Sequence, residues 1–385
     1  MNPKTAAKII LVVIAACIIT LACGLTDSFC LPEVDSIEAG TITFDTSVVN
    51  TMTINASDRA IVNYKSFSIA EHETVNVLLP DSSSQILNRV VENNTSNIFG
   101  NLFCNGILFL VNPAGINVGP NANVQSAGLV FSTRDITNSN FLSSNYVFEK
   151  TSNEALDYLL LNQGNITITN AGFGVFIAGA IENSGIITAN LGTIAMAAGD
   201  LVTLSLAGSE FISIAVDRET AATVYDYQGR AVIDQIKNTG TLQAKTIILK
   251  AEALTGLFEK AINLEGYVRA DTLDDSNGVV KITTKGAVYA NLAEVANIEV
   301  YKTSGDLNLT KSTLNDINDL ITLEGDNINL TYIKTANLTL QAENAINTQE
   351  GVIIQANQVK LIAKQFGSIN VPLNINANNT YIQRV

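Results

Sequence analysis

The sequence predicts an all-β chain wound as a right-handed, single-stranded parallel β-helix, a solenoid of stacked coils. Three observations carry this: a turn-and-strand unit recurring about every 20 residues, few helical signals, and a residue mix rich in Asn, Thr, Ile and Ala with no Trp. The unit is plainest at Asn162-Gln163-Gly164-Asn165-Ile166-Thr167-Ile168. It returns as Asn183-Ser184-Gly185-Ile186-Ile187-Thr188-Ala189 and as Asn238-Thr239-Gly240-Thr241-Leu242-Gln243-Ala244. Later, Gly305-Asp306-Leu307-Asn308-Leu309 is echoed by Gly325-Asp326-Asn327-Ile328-Asn329-Leu330, and Asn337-Leu338-Thr339-Leu340 by Asn357-Gln358-Val359-Lys360-Leu361. One coil of short strands and tight turns needs roughly 20 residues, so period and strand length agree. Coils stack about 4.8 Å apart, which aligns inward Ile, Leu, Val and Ala into apolar columns and turns Thr, Asn and Lys outward. Stacked Asn side chains can then hydrogen-bond along the axis, and glycine at the corners is expected to supply positive φ.

The elements follow in order. Residues 1–22 place Lys4 and Lys8 before the apolar run 9–22, the layout of a signal peptide. That run is shorter than a membrane span, and Gly24, Thr26, Asp27 and Ser28 end it, so residues 1–30 are assigned to a signal peptide cleaved at about 22–30. Ile14-Ala15-Ala16-Cys17 resembles a lipoprotein box and Leu21-Ala22-Cys23 a poorer one, which leaves lipidation at Cys17 or Cys23 as the alternative to release.

Strands come next: Thr41-Ile42-Thr43-Phe44, Thr51-Met52-Thr53-Ile54 and Ala60-Ile61-Val62-Asn63-Tyr64 set β-branched and aromatic residues between Gly, Asp, Asn and Ser. The best helical stretches are 82–91, 153–161 and 290–296, each one or two turns decorating a sheet protein. A membrane barrel would need longer alternating segments and aromatic girdles, and a propeller would need repeats of about 40 residues; aromatics here are only 6%. Residues 31–290 are read as one β-helix domain and 291–385 as further coils of the same stack.

Charge and composition narrow the function. An apolar fraction of 47% in 385 residues predicts a folded, core-rich chain. The net charge of −14 repels phosphate backbones and anionic headgroups, which argues against nucleic acid as a partner. Four cysteines, at 17, 23, 30 and 104, define no disulfide framework, and Cys104 in Leu102-Phe103-Cys104 reads as a small core residue. His72 lies between Glu71 and Glu73, but alternation would part those acids and no second His exists, so a solvent loop is expected rather than a metal site. A β-helix polysaccharide hydrolase or lyase would need converging carboxylates. The densest group, Asp271, Asp274 and Asp275 beside Ser276-Asn277-Gly278, reads as a solvated turn. No catalytic residue, cofactor or metal is therefore assigned, and the chain is read as a non-enzyme.

Residues 62–141 carry a family likeness. Val62-Asn63-Tyr64-Lys65-Ser66-Phe67-Ser68-Ile69, Ile86-Leu87-Asn88-Arg89-Val90, Ser96-Asn97-Ile98-Phe99-Gly100-Asn101-Leu102, Asn105-Gly106 and Leu108-Phe109-Leu110-Val111-Asn112-Pro113-Ala114-Gly115-Ile116 follow one another, the last with an Asn-Pro-x-Gly-Ile core. The likeness continues through Ala127-Gly128-Leu129-Val130-Phe131-Ser132-Thr133 and 136–141, and on to Ala197-Ala198-Gly199-Asp200 and Ile214-Ala215-Val216-Asp217. Together these resemble the haemagglutination-activity domain at the amino terminus of filamentous haemagglutinin and other two-partner secretion exoproteins. Tyr64 stands where that family usually has Trp, and Ala114 where it usually has a second Asn.

The resemblance implies an amino-terminal cap and extra-helical hairpins on the β-helix. It also implies export through the periplasm and a dedicated outer-membrane transporter, with folding outside, at a Gram-negative type of cell surface. On this reading Asn112, Pro113, Ala114, Gly115 and Ile116 form the secretion motif. From the residues alone, Asn112 and Pro113 make a tight turn ending the strand Leu108-Phe109-Leu110-Val111, with Gly115 relieving the backbone. Asn88, Arg89, Asn105 and Gly106 are assigned a structural cap role: an inward Asn can satisfy strand ends and Arg can bridge carbonyls or Asp. The function expected is a secreted or surface-exposed exoprotein acting as an adhesin on surface glycans or proteins. The alternatives are a lipid-anchored or structural surface β-helix or, least favoured, a β-helix polysaccharide-degrading enzyme. Exposed strand edge at Thr380-Tyr381-Ile382 predicts self-association through the last coil.

Overall fold

The computed structural model describes residues 31–151, 156–169, 171–207, 210–270, 278–292 and 295–385. The segment expected to be a signal peptide, with Cys17, Cys23 and Cys30, and the acidic group Asp271, Asp274 and Asp275, lie outside the described residues.

Short β-rich segments alternate with turns, and each complete coil feeds three parallel strand stacks. The first stack runs from Thr51–Ala56 and Thr74–Leu78 into the opening halves of Asn101–Val111 and Asn123–Ser132, then Asn165–Ile168. The second runs from Ala60–Ser66 and Gln85–Val90 into the closing halves of those same long strands, then Phe173–Ala178 and Ile186–Ala198. The third stacks Ser96–Ile98, Ile116–Val118, Leu160–Asn162, Ile181–Asn183, Asp234–Asn238 and Lys260–Leu264. Inward residues of all three form one continuous apolar column, from Ile54 and Val62 through Ile194 and Leu249 to Leu340 and Leu361.

The first coil is blunted rather than left open. Glu33–Ala39 runs antiparallel to Ala60–Ser66, and Ile42–Asp45 runs antiparallel to Thr51–Ala56. These strands occupy an edge that would otherwise template pairing with another chain.

A second core lies outside the coils. Tyr146–Glu149, Leu201–Ala207 and Glu210–Arg218 form an antiparallel sheet, and Asn138–Leu142 is a short helix whose N-cap Thr137 accepts from Asn140 N. Side chains from these elements cover the outer face of the second stack, where Ile61, Leu87, Phe109, Val130 and Val175 pack beneath Phe141, Tyr146, Phe148, Val202 and Ile214. Phe109 sits at the centre, edge-on to Phe141 at 5.2 Å and stacked on Tyr146 at 5.5 Å.

This second core corrects the helical expectation for residues 82–91. Gln85–Val90 is a strand in which all six residues are buried, because Ile86 and Val90 face the central column while Leu87 faces the outer core. Burial on both faces erases the alternation that marks a half-exposed strand. The described parts of the other two stretches are also strands, Asp157–Tyr158, Leu160–Asn162 and Val288–Leu292.

The repeat has a different cause at its glycines than positive φ. Gly164, Gly185 and Gly240 are absent from the positive-φ glycines. They form a column instead: a Cβ on Gly185 would lie 2.2 Å from the Gly164 carbonyl oxygen, and one on Gly240 would lie 2.1 Å from that of Gly185. Beside them Asn162 Nδ2 donates to Asn183 Oδ1 at 2.7 Å, and Asn183 Nδ2 donates to Asn238 Oδ1 at 2.7 Å, a buried asparagine ladder. Further along, the visual repeats are one residue out of register. Asn337 pairs with Gln358 rather than Asn357, and Leu307 with Ile328, which keeps Leu338 and Leu340 over Val359 and Leu361.

Candidate secretion site

Asn112, Pro113, Ala114, Gly115 and Ile116 form the corner between Asn101–Val111 and Ile116–Val118. Asn112 is fully buried and its amide organises the turn. Nδ2 donates to the Asn94 carbonyl at 2.8 Å and Ser96 Oγ at 2.9 Å, and Oδ1 accepts from the Ala114 N–H at 2.9 Å. The Gly115 N–H closes the turn onto the Asn112 carbonyl at 3.0 Å. Thr95 Oγ1 donates to the Ala114 carbonyl and the Ser96 N–H to that of Gly115, so the previous coil holds the corner at both carbonyls. Gly115 has φ +103°, a conformation that L side chains rarely adopt. Ala114 and Ile116 are buried as well, and Pro113 is half-buried.

Tyr227, from a distant loop, packs against this turn. Its hydroxyl donates to the Leu159 carbonyl at 2.7 Å, its ring stacks on Tyr158 at 6.0 Å, and a Cβ on Gly115 would meet that hydroxyl at 2.8 Å. Burial pushes the Tyr227 hydroxyl's pKa up, with the Ile116 backbone N–H pulling the other way.

Asn88 and Arg89 lie in the second coil. Asn88 points inward, accepting from the Tyr64 hydroxyl at 3.1 Å and donating to the Phe109 carbonyl at 3.1 Å, so one amide joins three coils. Arg89 points outward to Asp135 Oδ1 at 2.8 Å, Asn138 Oδ1 at 2.7 Å and the Ile136 carbonyl. It also reaches Asn63 Oδ1 at 3.3 Å, and Asn63 Nδ2 donates to Ser36 and Glu38 of the capping strand. Asn105 imitates a peptide group: Oδ1 accepts from the Leu79 N–H at 2.7 Å and Nδ2 donates to the Leu79 carbonyl at 2.8 Å. Gly106 leaves room for the Ser84 carbonyl, which would stand 2.6 Å from a Cβ.

Sequence reasoning missed Arg134, the largest fully buried side chain among the described residues. Its guanidinium forks onto Asp157 at 2.9 and 2.8 Å, reaches Asp200 Oδ1 at 2.9 Å, and donates through Nε to the Gly199 carbonyl at 2.8 Å. Lys150 adds a second cation 3.0 Å from Asp157. Burial alone would raise the Asp157 pKa, but the charges and hydrogen bonds of Arg134 and Lys150 overcome it and hold the carboxyl below its ordinary value. This cluster joins the end of Asn123–Ser132 to both insertions that carry the outer sheet. Gly179 makes the room, since its Cβ would meet Arg134 at 2.6 Å.

Cys104 is buried, and burial raises its thiol to about 11, as suits a core residue. His72 is exposed in a turn.

Residues 32–292 match the TPS secretion domain family, about two thirds of the chain. The chain belongs to that family. TPS secretion domains interact with an outer-membrane transporter and take their proteins through the periplasm to the cell surface or medium, so this is a two-partner secretion exoprotein. Among curated relatives, a heme/hemopexin-binding protein of Haemophilus influenzae is 26% identical over 310 residues, covering 78% of this chain and 33% of the relative. A second protein of that description from the same species is 34% identical over 112 residues, 29% of this chain and 12% of the relative. The chain thus spans about a third or less of the relatives it matches. The solved HMW1 secretion domain from Haemophilus influenzae shares the fold, at TM-score 0.60 with 22% identity, over 91% of this chain and all of that one.

Proposed function

We propose that Asn112, Pro113, Ala114, Gly115 and Ile116 belong to the segment the transporter reads, that it reads them before the chain folds, and that the exported protein is a surface adhesin. The enclosure of the turn supports the first part. With Asn112, Ala114 and Ile116 buried, and the Asn112 amide bonded to Asn94, Ser96 and Ala114, the folded corner offers a partner almost no free polar atoms. The same residues in an extended chain expose a rigid Pro, a free amide and an apolar Ile. On this reading residues 31–290 direct export and 291–385 continue the stack. Asn88, Arg89, Asn105 and Gly106 brace the first coils.

Adhesion to surface glycans or proteins is proposed from the exposed, repetitive surface of such a stack. The last strand, Asn374–Gln383, pairs along Ile353–Ile362 and leaves Tyr381 and Ile382 exposed, which supports self-association there. The relatives' heme/hemopexin binding supports a second reading, a surface receptor for heme or hemopexin.

Export decides the first claim. The chain is expressed with and without its outer-membrane transporter, and medium and cell surface are assayed for folded protein. Release that requires the transporter, and is abolished by Asn112→Ala with Pro113→Ala, supports the reading; transporter-independent retention in the periplasm overturns it. Binding of the released protein to host cells, to glycan arrays and to heme or hemopexin then separates adhesin from receptor.

A further inference from the structure

We infer that Tyr227 is a latch on the secretion turn: its phenol fills a seat formed by Gly115, the Leu159 carbonyl and the Tyr158 ring, and its docking encloses residues 112–116. This rests on the reading of that turn as the transporter's segment and adds the event that withdraws it.

The seat has shape and polarity. Gly115 supplies the space, because any Cβ there would stand 2.8 Å from the Tyr227 hydroxyl and 3.0 Å from its Cε1. The hydroxyl donates to the Leu159 carbonyl at 2.7 Å, and the two tyrosine rings lie nearly parallel, 6° apart. The loop carrying Tyr227 is itself fixed. Asp226 Oδ1 accepts from the Gln228 and Arg230 N–H groups at 2.9 Å, its Oδ2 pairs with Arg230 Nε at 2.7 Å, and the Val232 N–H returns to the Val224 carbonyl. Val224 and Tyr225 pair with Asp157 and Tyr158, which aligns the latch with the far wall of its seat.

Order along the chain gives the arrangement its consequence. The turn lies before Ile116–Val118, whereas Tyr227 follows Glu210–Arg218, after several coils and the outer hairpin. A turn made only of local residues would close as soon as its own coil formed. This turn gains its outer wall only when a segment from a later insertion arrives. The outer face of the segment therefore stays uncovered until those coils stack, although its polar groups already bond to residues 94–96, and Tyr227 covers it afterwards.

Two measurements test this on the full chain. Hydrogen exchange on purified protein compares wild type, Tyr227→Phe, which keeps the ring, and Tyr227→Ala. Exchange at residues 114–118 is expected to rise at least tenfold in Tyr227→Ala and less in Tyr227→Phe, with the coils after residue 279 unchanged. Unchanged exchange at the turn overturns the latch. Uniform acceleration along the whole chain overturns it too, by making Tyr227 a general stabiliser. In the second measurement a photo-crosslinker at position 114 reports contact with the transporter during export. Wild type is expected to lose that contact on release while Tyr227→Ala retains it. Equal loss in both overturns the handover. A crosslink in neither variant instead counts against the proposed transporter segment, and the exchange result still decides whether Tyr227 closes the turn.

Discussion

Arg134→Met removes one buried cation while keeping most of the stem's volume, and its cost can be worked from the contacts. The wild-type guanidinium is 1% exposed and makes two bonds to Asp157, one to Asp200 and one to the Gly199 carbonyl, all at 2.8–2.9 Å. Methionine leaves Asp157 with Lys150 alone and leaves Asp200 without its cation. Breaking a buried pair from one side costs about 3–5 kcal/mol. The pH dependence gives a sharper test. In the wild type Asp157 titrates below its ordinary value, so its contribution is complete above about pH 4 and is lost as pH falls through the lower folded value. In the variant the folded pKa moves up, so the stability gap between the two proteins is widest near neutrality and narrows toward pH 3. Urea unfolding followed by far-UV circular dichroism measures the gap; the chain has no Trp, and urea leaves ionic interactions unscreened. A loss under about 1 kcal/mol at pH 7, against that expected range, or a gap that stays constant from pH 3 to 7, would refute the argument.

Gly185→Ala puts a methyl 2.2 Å from the Gly164 carbonyl oxygen, and is expected to cost about 1–3 kcal/mol or more through a backbone shift. Gly229→Ala, at φ +76° in open space, should cost only the left-handed penalty of about 1–2 kcal/mol, and equal melting temperatures would count against the glycine column. Asn183→Ala takes the middle rung from the asparagine ladder, leaving Asn238 Oδ1 without its 2.7 Å donor. A loss of about 1–3 kcal/mol is expected in denaturant titration, and a neutral result would mean water replaces the ladder. Ile382→Lys places a charge on the exposed edge of the last strand, and sedimentation velocity should show self-association weakened relative to wild type; an unchanged distribution removes that edge from the interface.

The solenoid was legible because its period is written in polar residues that must stack. Asn162, Asn183 and Asn238 recur because each amide needs the next, and Gly164, Gly185 and Gly240 because each carbonyl crowds the next glycine. What failed was the local inference from pattern to secondary structure where a second layer covers the coils. Gln85–Val90 looks helical only because both its faces are buried, and nothing local announces the outer sheet. The turn at residues 112–116 is legible in its Asn-Pro-x-Gly-Ile motif, but the contacts of Tyr227 and Arg134 are not. Arg134 meets acids 23 and 66 residues away, distances at which a single sequence carries no pairing signal. One local hint existed: Arg134 directly follows Phe131-Ser132-Thr133 at the end of a buried strand, where an arginine needs a buried partner.

The two kinds of contact divide the folding problem between them. Ladder contacts join neighbouring coils and form as each coil docks, so they support growth along the stack from an end already closed by Glu33–Ala39 and Ile42–Asp45. Among the clasp contacts, Arg134 with Asp200 and Tyr227 with Leu159 cannot form until the coils between them are in place, while Arg134 with Asp157 closes the first insertion on itself. On the proposal that the transporter reads the chain before it folds, this division has a consequence. Ladder contacts hold residues 112–116 only to the neighbouring coils, through the Asn112 N–H to the Ser132 carbonyl and Ile116 beside Leu160, whereas the Tyr227 clasp covers Gly115 from a later insertion and the Arg134 clasp ties the outer sheet to the stack. Removing a ladder contact should therefore slow or weaken growth at one coil. Removing a clasp should leave the coils intact while the part it holds opens, the outer sheet for Arg134 and the turn at residues 112–116 for Tyr227.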